Sequence, residues 1–188
     1  MLRAFVRTLD ADMSHAAALW GKPPWSRVLR TLGSLVLYPR MRAVVWFRIS
    51  NALWRMRVRP MALWVQAHVV KTSGAEIHPA AEIGPGLMLA HSVGIVVGHE
   101  VRAGRDLVLM QGVTLGHGAQ PGQPLLGDRV RLMAGSTVLG PVRIGDDAVV
   151  GAGAVVLTDV PAGHVAVGVP AESRVRRQQP ATEATTGP

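Results

Sequence analysis

Cysteine is absent from the 188 residues, which excludes a disulfide framework, a thiolate nucleophile and a cysteine-ligated metal, and suits a cytoplasmic protein. Long apolar runs are missing too. The stretches at 32–38 and 61–70 fall far short of the roughly 20 residues a membrane-spanning helix needs. Arg3, Arg7, Asp10 and Asp12 interrupt the start of the chain, so no apolar core of a secretory signal is seen there, and a soluble cytoplasmic protein is expected. Acids are scarce in the first part: residues 1–74 hold 12 Lys and Arg against Asp10 and Asp12 alone, and no acid falls between Asp12 and Glu76. Residues 75–188 hold 8 basic and 10 acidic residues, so the net charge of +8 divides into +10 and −2. A solvated basic helical face explains this more simply than nucleic acid or anionic lipid, and no nucleic-acid partner is expected. With 48% hydrophobic residues, the chain has material for one ordinary core.

What the chain does contain is a period. From Ile77 an aliphatic residue recurs every six positions: Ile77, Ile83, Leu89, Ile95, Val101, Leu107 and Val113, then Leu126, Leu132, Val138, Ile144, Val150 and Val156. The step from Val113 to Leu126 holds one period plus seven extra residues, and residues 118–124 there have the Gly, Pro and Gln content of a loop. Six is wrong for a helix at 3.6 and too long for simple strand alternation. It fits a coil of three short flat strands, with about 18 residues to a triangular turn and the aliphatic residue of each hexapeptide stacked inside. Thirteen such positions predict a little over four coils with one extruded loop.

Residues 1–74 lack the period, carry all five tryptophans and show helical spacing at Val44, Phe47, Ile49 and Leu53. They are read as an α-helical N-terminal domain that caps the prism. A break is expected at 21–24, an N-cap at Ser26, and a bent or restarted helix at Pro60. Trp46, Trp54 and Trp64, set among arginines, are assigned to core packing rather than to a membrane surface. The β-helix domain spans 75–172. Residues 173–188, whose end from Gln178 holds no aliphatic residue larger than alanine, are read as a disordered tail.

The run from Glu76-Ile77-His78-Pro79 to Leu89-Ala90-His91, then Gly94-Ile95-Val96-Val97-Gly98, Gln111-Gly112-Val113-Thr114-Leu115-Gly116, the segment 151–156 and Gly168-Val169-Pro170-Ala171 resemble the serine O-acetyltransferases. The likeness covers roughly residues 30–172 in order. It implies a left-handed parallel β-helix, acetyl-CoA as acyl donor, no metal, and a homotrimer, with pairing of trimers left open. It further implies that His91 takes the proton of an acceptor hydroxyl, which attacks the thioester directly. An imidazole with a pKa near 6.5 suits that task. Glu76 stands where the family has the aspartate that orients the base. Gly116, Ala134 and Ala152 match the small residues along which CoA lies between neighbouring prisms. The backbone N–H groups near Gly116 and His117 are candidates for the oxyanion.

The acceptor site departs from the family. Ala90 replaces the aspartate before the catalytic histidine, and Gly122 and Gln123 replace the Arg-His pair of the extruded loop. A zwitterion such as serine calls for a cation and a carboxylate at its site. A small hydroxyl acceptor, with serine as the default, is therefore set beside a sugar or other biosynthetic hydroxyl, with a noncatalytic trimeric scaffold below both. His117 and Gln123 are the substrate-binding candidates. A zinc carbonic anhydrase is set aside because it needs three histidines around zinc, and His91, His99 and His117 are expected to form no close pair. The chain given ends in Thr186-Gly187-Pro188 and not in the isoleucine that cysteine synthase recognises, so that complex is not expected.

Overall fold

The computed structural model describes residues 2–20 and 39–176; the expected break at 21–24 and the cap at Ser26 lie outside them. Among the described residues three helices come first: α1 (Leu2–Trp20), α2 (Pro39–Arg55) and α3 (Arg59–Ser73). Pro60 lies in the first turn of α3, where its missing N–H costs nothing, so it restarts the helix as expected. Gly74 ends α3 in the left-handed conformation (φ 69°), its N–H returning to the Val70 carbonyl at 2.9 Å. Among the described residues no helix is long and apolar enough to cross a membrane.

From Glu76 the chain winds as a parallel β-solenoid with three faces. The first face stacks β1 (Glu76–Ile77), β4 (Val96–Val97), β7 (Thr114–Gly116), β10 (Thr137–Leu139) and β13 (Val155–Val156). The second stacks β2 (Glu82–Ile83), β5 (Arg102–Ala103), β8 (Leu125–Leu126) and β11 (Arg143–Ile144). The third stacks β3 (Met88–Leu89), β6 (Val108–Leu109), β9 (Arg131–Leu132), β12 (Val149–Val150) and β14 (His164–Gly168), and ends on the antiparallel β15 (Ala171–Val175). Residues 173–175, read from sequence as the start of a disordered tail, belong to that last strand.

All thirteen aliphatic positions of the six-residue series are buried, none more than 7% exposed. Their register is less regular than it looks. Ile77 lies level with Val97, Leu115, Val138 and Val156, in steps of 20, 18, 23 and 18 residues. Two extra residues therefore sit between β3 and β4, and five between β7 and β8. The seven extra residues that the series placed together are divided. Each hexapeptide points two side chains inward, as Val97 and Val101 or Leu109 and Val113 do. The series slid from one row to the other at Ile95 and back at Leu126 without meeting a polar residue. The fold also runs further than four coils, because Val160 bridges to Ile144 and β14 continues the third face into a fifth.

The helices close the first end of the prism. Val44 and Phe47 of α2 and Val69 of α3 share one buried cluster with Ile77, Ile83 and Leu89. Trp46 packs on this cluster, but Trp64 is 69% exposed and stacks on His68. Its assignment to the core is corrected: α3 buries Ala62, Val65, Val69 and Ser73, and Trp64 falls off that stripe. A buried ion pair pins α1 to the prism. Asp12, fully buried, accepts from the Arg48 guanidinium at 2.9 and 3.0 Å and from the N–H groups of Gly86 and Leu87 at 2.8 Å. Arg48 in turn donates to the carbonyls of Ile83 and Gly84, both at 2.6 Å. Every lone pair and proton of such a pair needs a partner when water is excluded, and here the first coil supplies them.

Candidate active site

The two extra residues between β3 and β4 form a bulge at the corner where the third face turns into the first. His91 lies in it, exposed, next to the buried Ser92 and ahead of Val93, which is 69% exposed. Gly94, in the left-handed region at φ 74°, donates its N–H to the Gly74 carbonyl at 2.9 Å and so shuts the bulge against the coil before it. A short irregular segment on a rigid stack thus presents the imidazole away from the core, an arrangement suited to chemistry.

Glu76 opens β1 directly below Val96, and its N–H donates to the Ile95 carbonyl at 2.8 Å. Its exposed carboxylate makes no hydrogen bond or ion pair with His91 among the described residues. It does act on His78, two residues on. Burial holds the His78 imidazole below its ordinary pKa, the His99 ring pushes the same way, and Glu76 opposes both. His78 accepts the Ala80 N–H on Nδ1 at 3.0 Å.

The three positions matched to CoA binding do not meet at one point. Gly116 ends β7 at the far edge of the first face, where an added Cβ would touch only a Leu139 methyl at 4.0 Å. Ala134 and Ala152 stand on successive coils at the opposite corner, beside Gly135 and Gly153, where an added Cβ would meet nothing within 4 Å. Between the two corners lie the outward positions of Thr114, Thr137 and Val155. The later coils of this face thus carry short outward side chains, with small residues along one corner and Gly116 level with Leu139 at the other, where Leu157 is 52% exposed. Around the third corner, under α1, a cleft of about 460 Å³ is lined by His15, Asp106, Arg129, Arg131, Asp147 and Arg176. Asp147 is held below the usual carboxylate range by its hydrogen bond from Arg129. Arg176 thus joins two other arginines there.

The loop between β7 and β8 begins at His117 and ends at Gln123. The Gln123 side chain is buried, accepts the Glu100 N–H on Oε1 at 3.0 Å, and fills the space above Gly98 that a Cβ would need. As one expected outcome, Gly98→Ala displaces Gln123 and frees the end of the loop; faster amide exchange confined to 117–124 checks it. His117 stands close to His99, with ring centroids 5.5 Å apart, and His99 lies 5.6 Å from His78, which faces Trp54 at 5.1 Å. The expectation that His99 and His117 form no close pair is therefore corrected. They are 18 residues apart in sequence, which is one coil, so the winding stacks them. Ligand atoms of His99, Glu100 and His117 all lie within 4.8 Å of one another.

Comparison with known proteins places the fold. The profile described as bacterial transferase hexapeptide (six repeats) matches residues 124–158. The soybean serine acetyltransferase apoenzyme is 36% identical, with a TM-score of 0.79 over 90% of this chain and 69% of that one. The chain belongs to the serine acetyltransferase family. A serine acetyltransferase solved in complex with CoA aligns with 30% identity and a TM-score of 0.79, over 92% of this chain and 70% of the other. The probable serine acetyltransferase 5 of rice is 44% identical over 68 residues, 36% of this chain and 20% of its own length.

Proposed function

We propose that the protein transfers an acetyl group from acetyl-CoA to a small hydroxyl acceptor, and that His91 is the general base. The observation that carries this reading is the corner bulge, which holds one imidazole clear of the prism beside the first face. In the reaction, neutral His91 takes the hydroxyl proton while the acceptor oxygen bonds to the thioester carbonyl carbon. The tetrahedral intermediate then expels the CoA sulfur, which recovers the proton from the imidazolium, so no acyl-enzyme forms. Glu76 is proposed to orient His91 after a side-chain rotation. Gly116, Ala134 and Ala152 are proposed to line the path of the pantetheine arm. A homotrimer is proposed because the first face alone is a wall, and a groove needs a second one from a neighbouring copy. His117 is proposed to border the acceptor.

Serine is the family's acceptor, and one observation favours a different hydroxyl. Gln123, where the family carries a charged or ionisable side chain, spends its carboxamide oxygen on the Glu100 N–H, and Ala90 and Gly122 offer no charge. A site without those groups is suited to a less polar partner. Release of free CoA from acetyl-CoA, followed with a thiol reagent across L-serine, L-homoserine and several sugars, separates the readings. Turnover is expected to be highest with an acceptor other than serine. Turnover only with serine removes the second reading, and no release with any acceptor removes the enzyme itself.

A further inference from the structure

We propose that His99, Glu100 and His117 form a binding site for a divalent transition metal of the zinc type, which clamps the extruded loop to the coil beneath it. The three side chains converge from two coils: His99 and Glu100 from the turn after β4, His117 from the residue after β7. Their ligand atoms already lie within 4.8 Å of one another, and His99 Nε2 is 3.8 Å from a Glu100 oxygen. Zinc bonds of about 2.0–2.2 Å in a tetrahedron set ligand atoms roughly 3.3 Å apart. The side chains therefore have to close by up to about 1.5 Å, and His99 and Glu100, each 51% exposed, are free to do so. Two imidazoles and one carboxylate are a donor set that zinc, nickel and copper accept, and the carboxylate offsets part of the ion's charge. Three protein ligands leave a fourth position for water or another ligand.

The surroundings limit the ligand set to these three. His78, next in the row, uses Nδ1 to accept the Ala80 N–H, so its neutral ring carries hydrogen on Nε2 and offers the ion no lone pair. It stands as a wall on one side of the His99 ring, with Trp54 behind it and the Arg59 guanidinium 5.2 Å from the centroid of that indole. The position within the fold gives the metal its effect. The far end of the same loop is already tied to this turn, through Gln123 and the Glu100 N–H. An ion held by His117 and Glu100 ties the near end to the same place, so both ends of 117–124 close on one turn.

The test uses the full-length protein without an affinity tag at pH 7.5, with Zn²⁺ by calorimetry and Co²⁺ by visible absorption. One equivalent of each ion is expected per chain, and Co²⁺ is expected to give the d–d bands of a nitrogen- and oxygen-ligated site. His99→Ala and His117→Ala are each expected to weaken binding at least about tenfold, the range in which loss of even an outer partner is felt. His91→Ala is expected to leave it unchanged. Zn²⁺ is further expected to slow amide exchange in 117–124 and nowhere else. Circular dichroism melts of the variants show that the side chains removed are surface ones. Absence of a stoichiometric site, or binding as tight in both histidine variants, overturns the proposal, and unchanged exchange in the loop overturns the clamp. None of these readouts uses acetyl-CoA, so they stand apart from the acetyltransferase reading.

Discussion

His91→Ala is expected to lower kcat for acetyl transfer by about 10²–10⁴-fold, the usual worth of a positioned general base, while CoA affinity and thermal stability stay close to those of the parent. The stability half follows from exposure: the imidazole projects from the bulge, and its removal opens no cavity. The CoA half follows from position, because the proposed path of the cofactor runs along Gly116, Ala134 and Ala152 and not over the bulge. The kinetic half rests on proton transfer, since a hydroxyl is a poor nucleophile near neutral pH until its proton has somewhere to go. Glu76→Gln tests the orienting role beside it. A smaller loss, confined to kcat, is expected because the carboxylate acts only through the ring. Steady-state kinetics on both variants, with isothermal titration of CoA, decide the matter. Unchanged turnover in His91→Ala would remove this residue from the mechanism.

The second large effect concerns the cap. Asp12→Ala is expected to destabilise the fold by about 3–5 kcal/mol, because it strands a buried guanidinium with no counter-charge. Arg48 is only 5% exposed, so water cannot replace the carboxylate without opening the contact between α1, α2 and the first coil. The N–H groups of Gly86 and Leu87 lose their acceptor in the same step. The paired replacement Asp12→Leu with Arg48→Met is expected to recover a large part of the loss, since two apolar side chains of similar volume leave no buried charge unpaired. Urea denaturation of the three proteins measures this. If Asp12→Ala melts like the parent, the pin contributes nothing. The loosened single variant should also expose Met88 and Val108 on the third face, which now form a small buried cluster with Ala90.

The prism and its helical cap were legible in the sequence because both rest on periodic burial. The inward row repeats every six residues, and Val44 and Phe47 repeat at helical spacing. The split of the extra residues was not legible. Two inward rows run in parallel, and a series of aliphatics passes from one to the other with nothing polar to mark the change. His91 is singled out by the motif around it. The bulge that presents it was hidden in that slide of register. The pairing of His99 with His117 had a signal that went unused: a separation of 18, which the coil length converts into contact. Asp12 and Arg48 lie 36 residues apart with no period between them, so their meeting depends on how helices dock, which no local pattern encodes. Trp64 was misplaced because aromatic content was weighed without the phase of the helix that carries it.

The reversal of the last strand has a consequence for how copies can join. A stack of flat parallel strands offers its final rung as a template, and a second prism could add there and continue into a fibre. At the last coil β15 runs against β14 and presents a ladder of the wrong polarity for another parallel rung, while the helices occupy the opposite end. The third face therefore ends, at that coil, without a free parallel rung.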